Sequence, residues 1–345
     1  MSENQDIRLP DTSKLIVSSS PHLQAPESVR RLMLIVILAL LPACAAGVFY
    51  FGWPALVVLA VTTASCVGFE ALFNRLAGRE STVGDLSAAL TGLLLGMNLS
   101  ATTPWWICII GALLAMGLGK HVYGGLGYNP FNPALVGRVG LLIAFPKHLT
   151  TWVPPDGGKW VAKLADGASL DAVTTATPLY TVPEALAAGT PVDVPYLEYF
   201  LGRMGGCIGE TCAAALLAGG LVLIALRLIR WHVPASYIGT VLVITGVAHA
   251  LAPEMQPTPL FHLVAGGLFL GAFFMATDMV SSPMTKTGAV VFGIGCGVVT
   301  CVIRLWGSYP EGVSFAILFM NALVPLIDRA TRGAPFGAQT HRNSP

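Results

Sequence analysis

Charged residues are scarce in this chain. Asp, Glu, Lys and Arg make up only 11% of its 345 residues, whereas they make up about 25% of an ordinary soluble domain. Hydrophobic residues make up 54%. A soluble core cannot hold so many apolar side chains without large exposed patches, but a bilayer accommodates them. The composition therefore predicts a membrane protein. A net charge of +1 with no basic stripe argues against a nucleic-acid partner.

The N-terminus lacks the apolar stretch that a cleavable signal peptide needs directly after its basic start. Residues 1–28 are polar and include Pro10, Pro21 and Pro26. We therefore expect residues 1–30 to form a retained cytoplasmic tail.

The cysteines do not suggest a disulfide framework, because their number, seven, is odd and five of them lie inside apolar runs. Two pairs have the spacing C-x4-C, Cys207 with Cys212 and Cys296 with Cys301. Residues five apart on a helix point about 140° away from each other, at roughly 100° per residue. This spacing favours small apolar fillers over a metal or iron-sulfur centre. We predict no metal site.

The chain also lacks the patterns of a self-contained enzyme. No Ser/His/Asp or Cys/His grouping suggests a nucleophile, no G-x-G-x-x-G opens a helix after a strand, and no cysteine cluster has ferredoxin spacing. We predict no catalytic residues and no complete active site on this chain alone.

Apolar runs long enough to approach a hydrocarbon core of roughly 30 Å are frequent. They lie at about 31–51, 54–73, 85–100, 104–119, 133–146, 206–226, 234–251, 260–277, 288–306 and 312–327. The sequence thus predicts an all-α polytopic membrane protein with about ten transmembrane helices. We expect five in residues 31–146 and five in residues 206–328, with an extracytoplasmic loop lobe at 147–205 and a cytoplasmic tail at 329–345.

Lys and Arg are unevenly divided between the two sides of this topology. With the N-terminus inside, thirteen lie on its side and five on the other, and Arg138 falls within a span. The positive-inside rule then puts both termini in the cytoplasm and residues 147–205 outside. Loops of that length in a compact protein are usually functional.

An internal echo relates the two sets of spans. "GLLLGMNLSAT" (92–102) and "GLFLGAFFMAT" (267–277) match at six of eleven positions. They lie five spans apart, so the second copy is inverted relative to the first. We expect two inverted five-helix repeats, as in many transporters, whose irregular segments often line a substrate or ion cavity. The glycines of the echoes are expected to allow close helix packing.

Arg138 lies in "YGGLGYNPFNPALVGR", residues 123–138, where Gly and Pro predict an extended approach to the fifth span. A buried arginine normally has an anionic partner. A phosphate, a flavin ring edge or a carboxylate could each be this anionic partner. A carboxylate that forms a purely structural ion pair with Arg138 is the alternative to a functional site.

"SLDAVTTATPLYTVPEA", residues 169–185, is rich in hydroxyl side chains although its surroundings are apolar. Local turns, a helix cap or a solvated loop would each explain it from physics alone. However, Asp171, Thr174 and Thr177 resemble the flavinylation signature D-x-x-[ST]-x-A-T, at whose last threonine a flavin transferase attaches FMN through a phosphoester. Threonine stands at position 174, where serine is commoner. The resemblance implies a covalent FMN on Thr177.

The resemblance covers nearly the whole chain. "NPFNPALVGR", "GGLFLGAFFMATDMVSSPMTKTG" and "SFAILFMNALVPLIDRATRGAPFG" are similar to the RnfD family, the D component of the Rnf ion-translocating ferredoxin:NAD oxidoreductase. The paralogous B component of the sodium-translocating NADH:quinone reductase shares the fold but has a longer N-terminus. The family resemblance implies a membrane component that relays electrons through FMN between ferredoxin and NAD, coupled to Na+ or H+ export.

The same resemblance implies cofactors, partners and a location. A non-covalent riboflavin is a possible second cofactor. Partners would be the other Rnf subunits, including iron-sulfur and second covalent-FMN subunits, together with a periplasmic flavin transferase and the lipid bilayer. The location would be the bacterial inner membrane, with Thr177 periplasmic. Alternatives are a counterpart of the B component of the quinone reductase, an inverted-repeat solute transporter, or a structural scaffold.

Overall fold

The computed structural model describes residues 28–159, 161, 174–190, 192–307 and 311–332. These residues form helices and connecting turns, and their one β feature is an isolated antiparallel bridge between Trp152 and Thr175. The expectation of an all-α protein is thereby confirmed for the described part of the chain. Most of the two terminal tails and Asp171 lie outside the described residues.

The helices fall into three groups along the chain. The first group is α1 (Val29–Phe51), α2 (Trp53–Leu76), α3 (Ser87–Met97), α4 (Trp105–Gly117), α5 (Pro133–Ala144) and α6 (Pro146–Leu149). Two short helices follow, α7 (Pro178–Ala187) and α8 (Tyr196–Leu201). The last group is α9 (Ala213–Ala225), α10 (His232–Leu251), α11 (Pro259–Val264), α12 (Leu268–Leu270), α13 (Lys286–Trp306) and α14 (Val313–Ala330). Helix α12 continues into a π turn, Gly271–Met275.

Six helical segments in the described residues are long and apolar enough to cross a membrane: α1, α2, α4 with its extension to Tyr123, α10, α13 and α14. Helices α3, α5 and α9 are apolar but shorter. Large apolar side chains point outward from the bundle, such as Phe49 and Val243, which are 75% and 66% exposed. A hydrocarbon phase would cover such side chains. The chain is a multi-pass membrane protein.

Local sequence fixes several helix ends. The Ser28 hydroxyl accepts the N–H of Arg31 and caps α1, as the Thr285 hydroxyl accepts the N–H of Gly288 and caps α13. Helix α1 stops at Gly52, whose φ of 80° is in the left-handed region. A β carbon at Gly52 would lie 2.8 Å from the α carbon of Gly158. Both the backbone conformation and this close contact therefore require glycine at position 52.

The continuous helix expected at 260–277 is wrong, because the structure divides these residues between α11, α12 and the π turn. The break lies at Ala265, which is extended, and at Gly266, which has a φ of 77°. Arg304 of α13 donates to the carbonyl oxygens of His262 at 2.6 Å and Ala265 at 3.2 Å. These bonds satisfy carbonyls that the broken helix leaves without intrahelical partners. Composition alone does not reveal such a tertiary bond.

One hydrophobic core joins the first and last helix groups. Helix α1 packs on α9, α5 packs on α14, and α10 packs on α13. In the first echo, a β carbon at Gly92 would lie 2.5 Å from the α carbon of Thr63, so α3 packs very closely on α2. The expected packing role of Gly92 is therefore confirmed.

Candidate functional site

The described part of the threonine-rich stretch, residues 174–185, is called the threonine segment; its Thr175 contacts the loops that follow α6 and precede α9. The N–H of Thr175 donates to the carbonyl oxygen of Trp152 at 2.9 Å, and Thr175 itself is exposed. Thr177 is only 2% exposed and is the N-cap residue of α7, yet its side chain does not cap the helix. Thr174 is half-buried, three residues before Thr177. Asp171 falls outside the described residues, so its relation to Thr177 stays a prediction.

Helix α7 holds Thr177 against the broken-helix region. Leu179 and Val182 of α7 form a small apolar cluster with Phe261 of α11 and Ala265. All four residues are 7% exposed or less, and Phe261 and Ala265 are fully buried. Helix α7 begins at Pro178, directly after Thr177.

A pair of glycines separates the threonine segment from a buried carboxylate. A β carbon at Gly205 would lie 2.8 Å from the Thr175 hydroxyl oxygen. One at Gly206 would lie 2.6 Å from Oε2 of Glu210, which is 4% exposed. The Cys207 N–H donates to the same Glu210 oxygen at 3.4 Å. The threonine segment therefore lies close to buried charge.

Arg138 is buried at the centre of this charged cluster, and its anionic partner is a carboxylate. Its Nη2 forms an ion pair with Glu311, which precedes α14. Its Nη1 donates to the backbone and side-chain oxygens of Asn98, the latter at 3.1 Å, and lies 3.4 Å from the Cys207 sulfur. The sequence allowed a phosphate, a flavin ring edge or a carboxylate as the partner of Arg138, and among the described residues the partner is a carboxylate. The pair joins the first helix group to the last.

Three potential metal ligands lie in this cluster. Ligand atoms of Cys207, Glu210 and Glu311 are all within 4.8 Å of one another. The Arg138 guanidinium contacts two of these residues and already provides the positive charge that a metal ion would bring. The sulfur of Cys212 instead accepts the N–H of Ala215 at the start of α9. Sequence reasoning missed Glu210 and Glu311, although each is an isolated acid beside an apolar run.

Two buried nitrogen atoms in the region that packs against α7, His262 Nδ1 and Arg304 Nε, have no hydrogen-bond partner among the described residues, whereas the Trp152 indole interacts with the Cys207 sulfur. Buried polar groups are rarely left unpaired unless a ligand or water pairs with them. Trp152 is bonded through its backbone to Thr175, and Arg304 is bonded to the carbonyl oxygen of His262. Nitrogen donors and a cation suit the phosphate and the ring oxygens of a flavin nucleotide. The residues present fit FMN on Thr177.

A second polar site lies near the end of α2. The Glu70 carboxylate accepts from Lys120 Nζ at 2.8 Å, interacts with His121 Nε2 at 3.1 Å, and also accepts from the Thr82 hydroxyl. Lys120 also donates to the Ser87 hydroxyl at 2.8 Å. Glu70 and Lys120 are each 1% exposed. The network is an ion pair in which both charged groups have several partners.

An open cavity adjoins this network. Apolar side chains of α1 and α3 form part of its wall, together with Phe273 and Phe274 of the π turn. Polar groups line it from both helix groups, among them Lys120, Asn132 and Asp278. The cavity can hold a ligand that is mainly apolar and has a few polar edges.

A model of the NQR2, RnfD, RnfE family matches residues 16–337. The chain belongs to this family. The match includes the signature threonine, the Arg138 cluster and both echoes, and it confirms the family resemblance drawn from the motifs.

Curated relatives are similar along almost their entire length. The D component of an ion-translocating oxidoreductase complex from Stutzerimonas stutzeri is 45% identical, with 90% of this chain and 93% of the relative covered. The D component of a Na(+)-translocating ferredoxin:NAD(+) oxidoreductase complex from Acetobacterium woodii is 43% identical over 94% and 95%. A proton-translocating counterpart from Clostridium ljungdahlii is 43% identical over 94% and 96%. Among these relatives the named coupling ion differs.

Proposed function

We propose that this chain is the RnfD component of an ion-translocating ferredoxin:NAD oxidoreductase complex and that it relays electrons through FMN esterified to Thr177. Membership of the family and relatives named as the D component support the complex and the membrane location. The proposal of covalent FMN rests chiefly on one observation: Thr177 ends the flavinylation signature, and its side chain does not cap helix α7. The relatives' names favour this assignment over the quinone-reductase component.

The chain's own residues would tether and position the cofactor. Esterification joins the Thr177 oxygen to the FMN phosphate, and Asp171 and Thr174 would be recognised by the flavin transferase. The buried Trp152 indole and the α7–α11 contact would exclude water from the tethered end. Bound FMN supplies reversible electron transfer, which no protein side chain in this site provides. The tether prevents loss of the cofactor.

A second, non-covalent flavin such as riboflavin would find its place in the open cavity beside Lys120. Its lining is mainly apolar with a few polar groups, as is usual for small-molecule sites. The rings of Phe273 and Phe274 offer apolar surface, and the unpaired side-chain oxygen of Asn129 offers an acceptor to the polar edge of an isoalloxazine. Purification of the Thr177→Ala chain, followed by extraction, tests this assignment, because only non-covalent flavin would be recovered.

We further propose ten membrane passages arranged as two inverted repeats, 31–146 and 206–328, with an external lobe at 147–205. Corresponding helices make corresponding contacts: α2 packs on α4 as α10 does on α13, and α4 packs on α5 as α13 does on α14. The echoes meet at the centre, where Asn98 Nδ2 lies 3.6 Å from the Met275 sulfur. Irregular backbone after each echo suits an ion path between the repeats.

The partners and orientation follow from this role. Because the sequence holds no nicotinamide or iron-sulfur motif, those sites would come from other subunits, including one with iron-sulfur clusters and a second with covalent FMN. The thirteen-to-five distribution of basic residues supports cytoplasmic termini and a periplasmic Thr177, within reach of a periplasmic flavin transferase.

In-gel flavin fluorescence of the denatured full-length chain tests the tether. We expect fluorescence that follows the polypeptide, persists in Thr177→Ser and disappears in Thr177→Ala. Thr175→Ala is the matched control, because Thr175 is an exposed threonine two residues away. Fluorescence that persists in Thr177→Ala but disappears in Thr175→Ala would show that FMN is attached to Thr175 instead.

The cavity and the broken helices also fit an inverted-repeat solute transporter. Uptake of a solute by the isolated chain in liposomes, without electron donors, would favour that function. Redox-dependent ion movement that requires the other subunits would favour the RnfD role.

A further inference from the structure

Thr177, the residue that would carry FMN, is buried in the folded chain. It is only 2% exposed, and Pro178 directly after it is buried as well. Thr175 and Ala176, directly before it, are exposed. Attachment of FMN requires the threonine hydroxyl to reach both a flavin nucleotide and the active site of a transferase. A side chain with so little exposure can reach neither in this arrangement.

Thr177 is tied to helix α7, because it is the N-cap residue of that helix. Its carbonyl oxygen accepts the backbone N–H groups of Tyr180 at 2.9 Å and Thr181 at 3.1 Å. Helix α7 is docked on α11 through the apolar cluster whose buried members are Leu179, Val182, Phe261 and Ala265. Moving Thr177 to the surface therefore either breaks these backbone bonds or carries the first turn of α7 out of the cluster.

Helix α7 is poorly stabilised by its own residues. It has ten residues, and isolated helices shorter than about 12–15 residues are marginal in water. Pro183 lies inside it and has no N–H, so the carbonyl oxygen of Leu179 receives no helical hydrogen bond from that position. Its buried side chains are those of Pro178, Leu179 and Val182. An element that few apolar contacts hold in place opens locally at a low free energy.

The chain is held in place on both sides of α7. Before the helix, the N–H of Thr175 donates to the carbonyl oxygen of Trp152 at 2.9 Å. After it, the Tyr196 hydroxyl of α8 and the Thr258 hydroxyl are hydrogen-bonded at 2.6 Å. Neither bond involves a residue of α7. The flanking segments can therefore stay attached while α7 moves.

We propose that α7 undocks from α11 to expose Thr177 and that the flavin transferase modifies this open form. The inference rests on the proposed esterification of Thr177 and adds its conformational requirement. In the transfer, the Thr177 oxygen bonds to phosphorus of a flavin adenine dinucleotide, the pyrophosphate bond breaks and AMP leaves. The hydroxyl proton passes to a base of the transferase. The rate of modification is then scaled by the fraction of chains in which α7 is open.

Thiol accessibility measures this opening without any flavin. Thr177→Cys and Thr175→Cys are made separately in a Cys212→Ser background, in which the other six cysteines are buried. The full-length chain is purified from cells that lack the transferase. We expect a maleimide to label Thr177→Cys at least about tenfold more slowly than Thr175→Cys, because labelling at 177 must wait for opening.

A weaker cluster should raise the open fraction. Val182→Ala removes two buried methyl groups, and we expect it to speed labelling of Thr177→Cys at least about fivefold. Labelling of Thr175→Cys should not change. Leu197→Ala is the matched control, because Leu197 of α8 is 70% exposed, and it should leave both labelling rates unchanged.

Flavinylation in vitro tests the link between opening and modification. The unmodified full-length chain, with Thr177 and Cys212 intact, is mixed with transferase and flavin adenine dinucleotide, and in-gel fluorescence is followed over time. We expect Val182→Ala to gain fluorescence faster than the wild type, by about the same factor as in thiol labelling. Leu197→Ala should match the wild type.

Equal labelling rates at positions 175 and 177 would overturn the proposal, since Thr177 would then be accessible without any opening. A Val182→Ala chain with unchanged labelling and flavinylation rates would overturn it as well. If Val182→Ala does not fold, Leu179→Val shortens the other cluster side chain of α7 and gives the same comparison. Slow labelling that Val182→Ala accelerates, in a chain that never takes up flavin, would support the movement of α7 but contradict the esterification. The two failures are therefore distinguishable.

Discussion

Arg138 and Glu311 form a buried ion pair between α5 and the segment that precedes α14. The two residues are 173 positions apart in the chain and belong to different helix groups. Their side chains are 6% and 12% exposed, so neither charge is well solvated. The ion pair therefore links the first helix group to the last, close to the threonine segment.

Loss of either partner of this pair should destabilise the protein strongly. Arg138→Met and Glu311→Gln each leave one buried charge without its partner, which typically costs about 3–5 kcal/mol. The double variant should be more stable than either single variant. Thermal unfolding of the full-length chain measures this, with Glu254→Gln, at an exposed glutamate, as the control. Singles that unfold at the wild-type temperature would show that the pair has no structural role.

Loss of one partner of the buried Glu70–Lys120 pair, near the end of α2, should also destabilise the protein. Glu70→Gln leaves the Lys120 ammonium with only Ser87 as a strong partner, so we expect a loss of about 3 kcal/mol or more. Combining Glu70→Gln with Lys120→Met should restore part of the loss. Glu80→Gln, at an exposed glutamate, should leave unfolding unchanged. Additive losses in the double variant would argue against a coupled pair.

Because α3 packs so closely on α2, an alanine at Gly92 should destabilise the protein, whereas an alanine at an uncrowded helical glycine should not. Gly92→Ala would place a methyl group 2.5 Å from the Thr63 backbone, and such overpacking typically costs about 1–3 kcal/mol. Gly239→Ala is the matched control, because Gly239 is also helical but has no atom within 4 Å of an added β carbon. That change should be neutral or stabilising by up to about 1 kcal/mol. Equal effects at both positions would contradict the packing account.

Membrane orientation can be measured by cysteine accessibility. In a Cys212→Ser background we expect a membrane-impermeant maleimide to label Arg203→Cys in intact spheroplasts. Arg75→Cys should react only after permeabilisation. Both arginines are exposed, and the other six cysteines are buried, which limits background labelling. The reverse pattern would put Thr177 in the cytoplasm and out of reach of a periplasmic transferase.

The positions of most helices could be predicted from the sequence, because a long apolar run by itself indicates a helix that can enter a membrane. Nine of the ten expected runs contain an α-helix, although α3, α5 and α9 are shorter than a membrane span. The exception is 260–277, where Gly266 and the bonds from Arg304 break the helix. That break depends on a side chain about forty residues later, which no local pattern encodes. The sequence suggested that Arg138 needs an anion, but only tertiary structure pairs it with Glu311. Thr177 was found through its motif, whereas Arg304 and His262 became visible only as groups with buried, unused nitrogen atoms.

The intact mass of the purified full-length chain tests the central proposal most directly. We expect the wild type to exceed its sequence mass by one FMN less one water, and Thr177→Ala to match its sequence mass. A wild-type chain that weighs only what its amino acids weigh, or a Thr177→Ala chain that retains the added mass, would contradict the proposal.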